Sequence, residues 1–270
     1  MFRKELPRVY ELRDLIQDTN LAGAYFKDFD NSIRDEPSKK RVWLEREQAF
    51  QQLDVVAWTF LKDKARSYLT TQNLKGRGWH QLIDTLNEAY AYNFLREKGC
   101  SSVRFIPPSS LLKKPDLQAE QSGRKVLCEV KTINISEDEA FMRKEAFARR
   151  EGTAMAIIDP KTGRPDLKII NKLLRTIEDQ LGEGFFRKLK SDIEDAEEQM
   201  KAYDDGTNIR RIVFIIVNFD DFLGEYKERY YLQIDQYLAK NPPRDAEVVF
   251  YNQRTPFHKP IAMTSATVIQ

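Results

Sequence analysis

Apolar positions recur at helical spacing through the first 75 residues. Leu6, Val9, Tyr10, Leu12, Leu15 and Ile16 mark one amphipathic helix, and Val42, Leu44, Phe50, Leu53, Val56, Phe60 and Leu61 mark a longer one. The intervening DFDNSIRDEPSKK is dense in turn and breaker residues and reads as a loop. A helical hairpin packed on the rest of the chain is therefore expected. After Lys75-Gly76-Arg77-Gly78, the span from Trp79 to Lys98 is apolar almost all round, the mark of a buried helix, with Gly99 as its stop. Strand-like runs follow at Ser102–Ile106, Asp116–Glu120 and Lys125–Ile133. A charged, mostly helical stretch covers about 135–182, with a loop at DPKTGRPD, and a helix over 185–203 precedes the β-branched run after Arg211. That run is expected to be a central strand buried on both faces. One more helix and a strand at Glu247–Tyr251 complete the pattern. Helix, three strands, helix, strand is the order of a mixed α/β sheet covered by helices.

Composition narrows the class. In 270 residues, 44 Lys and Arg nearly cancel 42 Asp and Glu, and 41% of positions are hydrophobic, so disorder is excluded. The longest apolar run of this kind, Ile212 to Val217, is far short of the roughly 18 residues of a membrane span. MFRKELPRVYELRDL carries no apolar stretch with a small-residue cleavage site, and Cys100 and Cys128 are too few for a disulfide framework. A cytoplasmic protein with no membrane partner is expected. No phosphate loop or G-x-G-x-x-G element occurs, and His80 and His258 are the only histidines, so no Ser-His-Asp set competes for a chemical role.

The chemistry gathers in two strands. Along Lys125–Lys131, side chains alternate, so Lys125, Leu127, Glu129 and Lys131 share a face. The plain alternative is a solvated Glu-Lys pair. However, Ser122-Gly123 is a hairpin signal, and a turn centred there sets Asp116 directly opposite Glu129, with Cβ atoms about 5 Å apart. Two carboxylates so placed repel unless a positive charge joins them, and a divalent ion suits hard oxygen donors. Lys131, on the same face, is placed to steady an attacking water or the charge that develops on a phosphate. A one-residue change in the turn would carry Asp116 to the other face.

Pro115-Asp116 followed by Glu129-Val130-Lys131 resembles the PD-(D/E)xK nuclease superfamily, which has the restriction-endonuclease-like fold. The stretch from Glu88 to Gly99 is similar to that family's first-helix signature, a glutamate eleven residues before a helix-ending glycine. The resemblance covers about 78–219, interrupted by the segment at about 135–182. It implies an α/β fold with a nuclease core at 76–221, an insertion at about 135–182, a helical N-terminal extension at 1–75 and a C-terminal extension, packed on the core, at 222–270. It further implies a Mg²⁺- or Mn²⁺-dependent deoxyribonuclease acting on DNA, with a homodimer as one arrangement for duplex cutting. Asp116 and Glu129 would be metal ligands, joined by the backbone carbonyl of Val130. Lys131 would orient the nucleophilic water, and Glu88 would reach the site as a second-metal or water-mediated ligand.

Gln199-Met-Lys-Ala-Tyr203 looks like the Q-x-x-x-Y element of the RecB-type branch, which implies a substrate-binding role for Gln199 and Tyr203. They share a helix face at i and i+4, although Tyr203 also continues the apolar stripe through Met200. His80 is the available candidate for that branch's upstream histidine ligand, but a helix-start histidine equally suits a structural role. Arg143, Lys144, Arg149, Arg150, Lys161, Arg164, Lys168, Lys172 and Arg175 suggest either a phosphate-contacting arm or, given the interspersed acids, a solvated helix face. Pro165-Asp166 has no partner strand and is a decoy. The rival functions are a nucleic-acid-binding or interaction protein of the same fold that does not cut, and a structural protein whose charged strand is merely solvated.

Overall fold

Among the described residues, four α-helices, not a hairpin of two, occupy the first 75 positions. In the computed structural model, residues 2–16, 24–70, 80–109, 113–134, 181–218, 227–251 and 263–264 are described. Helix α1 spans Pro7–Arg13, α2 Phe29–Asp35, α3 Pro37–Gln51 and α4 Val55–Arg66. The loop expected at DFDNSIRDEPSKK is instead helical except at Asp28 and Glu36. Phe29 and Ile33, one turn apart, bury the inner face of α2, while its polar majority faces outward. Pro37 supplies the preset φ of a first helical residue to α3.

The long second helix divides at Asp54. This residue is extended (φ −71°, ψ 172°), and its carboxylate accepts the Ala57 N–H at 2.8 Å, which starts a new helix with its own phase. Ala57, Trp58, Leu61 and Ala65 then form the buried stripe of α4.

Helix α5 (His80–Glu97) runs through the core. Leu82, Leu86, Ala89, Ala91 and Leu95 are fully buried, and so nearly are the polar Asn87, Glu88 and Asn93. Burial of amides requires partners. Asn93 Nδ2 donates to the Ala49 carbonyl at 2.8 Å and Asn87 Nδ2 to Thr132 Oγ1 at 3.0 Å. Gly99 ends the helix at φ +78°: its N–H reaches the Arg96 carbonyl and that of Cys100 the Leu95 carbonyl, the paired bonds of a Schellman motif.

The strands are β1 (Ser101–Phe105), β2 (Leu117–Gln121), β3 (Arg124–Asn134), β4 (Ile209–Asn218), β5 (Glu247–Tyr251) and the two-residue β6 (Met263–Thr264). They lie side by side in chain order. The β1–β2, β2–β3 and β5–β6 pairs are antiparallel and β4–β5 is parallel, so the sheet is mixed. Helix α6 (Glu183–Tyr203) precedes β4, and α7 (Lys227–Lys240) lies in the β4–β5 connection, where a parallel pair needs a long crossover. The expected order of helix, three strands, helix and strand is present as α5–β1–β2–β3–α6–β4, and β4 is buried from Ile212 to Val217 as expected.

Two compact units divide the chain: residues 1–132, 195–216 and 245–270, and residues 133–194 and 217–244. The first contains α1–α5, and one apolar core runs from Phe2 through those helices into β1–β5. In the second, Phe186 stacks on Tyr237 with centroids 4.7 Å apart, and the Leu181 N–H donates to Gln233 at 2.9 Å. The charged stretch expected at about 135–182, with its basic residues, lies outside the described residues apart from its last two. Among the described residues no helix is long and apolar enough to cross a membrane.

Candidate functional site: a carboxylate-ammonium cluster

The site begins with a turn. Ser122 (φ +50°) and Gly123 (φ +76°) both adopt the left-handed conformation, which makes a type I′ hairpin whose twist matches its strands. Pairing runs outward from Gln121 with Arg124 to Leu117 with Cys128, so the next residues out, Asp116 and Glu129, fall opposite each other. This is the register expected from Ser122-Gly123. Asp116 is held at the mouth of the hairpin by both its ends. Its carbonyl accepts from Ile106 N and its Oδ2 accepts from Val130 N, each at 2.9 Å.

Glu129 is not on a solvated face. It is 5% exposed, one of the buried charged groups of the core. Its Oε1 accepts from Lys131 Nζ at 2.9 Å and its Oε2 from Gln199 Nε2 at 2.8 Å. Gln199 also donates to the Lys114 carbonyl at 2.7 Å, which ties α6 to the chain just before Asp116. Burial, together with the facing Asp116, pushes the Glu129 carboxyl up to about 8, against the downward pull of Lys131.

Glu88 arrives from α5, also 5% exposed. Its Oε1 accepts from Lys64 Nζ at 2.6 Å, and the same ammonium lies 3.3 Å from Asp116 Oδ1. Its Oε2 is buried with no hydrogen-bond partner. Burial and the nearby Asp116 hold the Glu88 carboxyl well above the ordinary carboxylate range, although Lys64 opposes them. The two neighbouring carboxylates raise the Lys64 ammonium, outweighing its own burial. Three carboxylates thus meet two ammonium groups, and three hydrogen-bonded ion pairs join them. Next to Glu88 and Lys131 in sequence, the Asn87–Thr132 hydrogen bond fastens α5 to β3.

The structure therefore brings Asp116, Glu129, Lys131, Glu88 and Gln199 together, with Val130 contributing its N–H to Asp116. Tyr203 goes elsewhere. Lys125 Nζ lies 5.3 Å from its ring centroid and pairs with Asp204 at 2.6 Å. Lys125 is four residues from Glu129, about 13 Å along the strand. His80 opens α5 about 12 Å of helical rise before Glu88, and its side chain lies outside the described residues.

Lys64 is the member that sequence reading misses. A signal for it existed: it stands three residues after Leu61 and beside Ala65, at the edge of the buried stripe of α4. That stripe becomes visible only once Asp54 is recognised as a helix start.

Oxygen donors, a buried carboxylate oxygen without a partner and two carboxyls raised by burial and by the neighbouring Asp116 suit a hard cation. No group of three or more His, Cys, Asp or Glu side chains among the described residues is disposed to hold a metal ion by itself. A Mg²⁺ or Mn²⁺ here would thus rest on two carboxylates, a backbone carbonyl and waters, which is the usual habit of Mg²⁺. No family model matches this chain, and no curated protein or solved structure matches it either.

Proposed function

We propose that the chain is a divalent-metal-dependent nuclease of restriction-endonuclease-like topology that hydrolyses phosphodiester bonds in DNA. One observation carries the reading: Asp116 and the buried Glu129 face each other across a hairpin, with Lys131 bonded to Glu129 and Glu88 delivered from the preceding helix. Mere solvation does not account for carboxylates so deeply buried, because an ionised carboxylate leaves water only at a cost that something must offset.

Asp116, Glu129 and the Val130 carbonyl would hold the ion, which supplies Lewis acidity to a phosphoryl oxygen and to a water. Lys131, paired with Glu129, orients the attacking water and balances the charge developing on the phosphate oxygens. Gln199 keeps Glu129 aimed by occupying its second oxygen. Asp116 keeps its place because β3 itself donates to it.

The contact between Lys64 and Glu88 favours one second reading, a DNA-binding or interaction protein of the same fold in which ammonium groups alone neutralise the cluster. Cleavage of end-labelled linear and closed-circular DNA, single- and double-stranded, with Mg²⁺, Mn²⁺ or EDTA separates the two. The nuclease reading expects metal-dependent cutting that Lys131→Ala and Asp116→Ala both abolish in folded protein. Absence of both cutting and Mn²⁺ binding in the wild type would refute it.

A further inference from the structure

We propose that the Lys64 ammonium holds the place of a second divalent cation, so that the site takes one metal ion per chain. This rests on the nuclease reading and assigns a positioning role to a residue outside the resembling motifs. Lys64 Nζ lies 2.6 Å from Glu88 Oε1 and 3.3 Å from Asp116 Oδ1, joining a carboxylate of α5 to one just before β2. A cation joining Glu88 Oε1 to Asp116 Oδ1 would compete with this ammonium for the same two oxygens.

The ammonium is also held in place. Helix α4 is capped by Asp54, whose other oxygen accepts from the Tyr92 hydroxyl of α5 at 2.5 Å. Trp58 of α4 is buried, and its indole N–H donates to Glu11 at 2.8 Å. The helices that carry Lys64 and Glu88 are thus fastened to each other, and the Lys64 side chain is only 23% exposed. A fixed positive charge needs no recruitment from solution and cannot be removed by a chelator. It leaves the divalent ion to the Asp116–Glu129 pair, where Lys131 already serves Glu129.

Removing the ammonium would leave Glu88 and Asp116 without their shared positive charge, and a second hard cation can then bridge them. The test is a Mn²⁺ titration of the full chain, with free Mn²⁺ followed by electron paramagnetic resonance. It compares wild type, Lys64→Ala, Lys64→Met and the double variant Lys64→Ala/Glu88→Gln, each checked by circular dichroism. One ion per chain is expected in the wild type, two in both single variants and one again in the double variant. Added Mn²⁺ should also raise the thermal midpoint of the single variants more than that of the wild type.

A purely structural lysine would alter stability without altering the number of ions bound. Lys64→Met keeps the length of the side chain and carries the test if the alanine variant does not fold. One ion in the wild type and in every folded variant would overturn this inference and leave the nuclease reading standing. Two ions in the wild type would also overturn it. No ion in any of the proteins would overturn this inference and, together with absence of cutting, the nuclease reading as well.

Discussion

Replacing Glu129 by Gln should flatten a dependence of stability on pH that the wild type shows when divalent ions are absent. Glu129 is 5% exposed, and burial beside Asp116 raises its carboxyl from 4.5 to about 8. Glu88 is raised in the same direction. A carboxyl whose pKa is higher in the folded state binds more protons there than in the unfolded chain. Its contribution to stability is then greatest below 4.5 and is lost as pH rises through about 8. Each such group contributes a slope of about 1.4 kcal/mol per pH unit between its two values. With two groups the wild type should lose about 3 kcal/mol per unit at most, a large part of the roughly 5–15 kcal/mol of a whole domain. Glu129→Gln resembles the protonated acid at every pH. It should match the wild type within about 1 kcal/mol near pH 5 and lose one group's share of the slope above it. Urea unfolding followed by tryptophan fluorescence, from pH 5 to 8 in EDTA, measures this directly. Saturating Mn²⁺ should reduce the wild-type slope, because the ion binds the ionised carboxylates and stabilises the folded chain. Parallel profiles for the two proteins, or a wild type that gains stability over this range, would refute the reasoning.

Two further outcomes follow from the placement of the side chains. Gln199→Ala removes the donor that fixes Glu129 Oε2 and should weaken Mn²⁺ binding by about 10–100-fold, whereas Tyr203→Ala, acting beside Lys125, should leave the Mn²⁺ dissociation constant unchanged; isothermal titration of both variants compares them. Gly123→Ala places a side chain at φ +76° and should cost about 1–2 kcal/mol in urea unfolding with Mn²⁺ binding retained, while one residue inserted after Ser122 should abolish binding by turning Asp116 to the opposite face.

Much of this protein is written locally. The period of the apolar residues places α5 and β4 because each buries apolar residues in the same core, and it marks α6 by a buried stripe through Phe185, Leu189, Ile193, Ala196 and Met200. The Ser122-Gly123 turn sets the hairpin register, since two consecutive left-handed residues suit one tight turn and the pleat then alternates without freedom. Asp116 opposite Glu129 is therefore readable from about fourteen positions of chain. The N-terminal helices are less so. Helix α2 has only two apolar residues to announce it, and the division between α3 and α4 hangs on a single capping carboxylate, which a count of apolar positions overlooks.

Burial and partnership belong to the folded chain. That Glu129 is enclosed rather than washed by solvent depends on α6, whose Gln199 lies seventy residues away. That Tyr203 leaves the cluster while Gln199 joins it depends on where a shared helix face crosses the strand. Lys64 reaches Glu88 across 24 residues and Asp116 across 52, and no periodicity links them. Local pattern carries backbone conformation because short-range sterics and hydrogen bonds decide it. The charge that neutralises a buried carboxylate is supplied by whichever element packs above it, and only the folded core brings that element there.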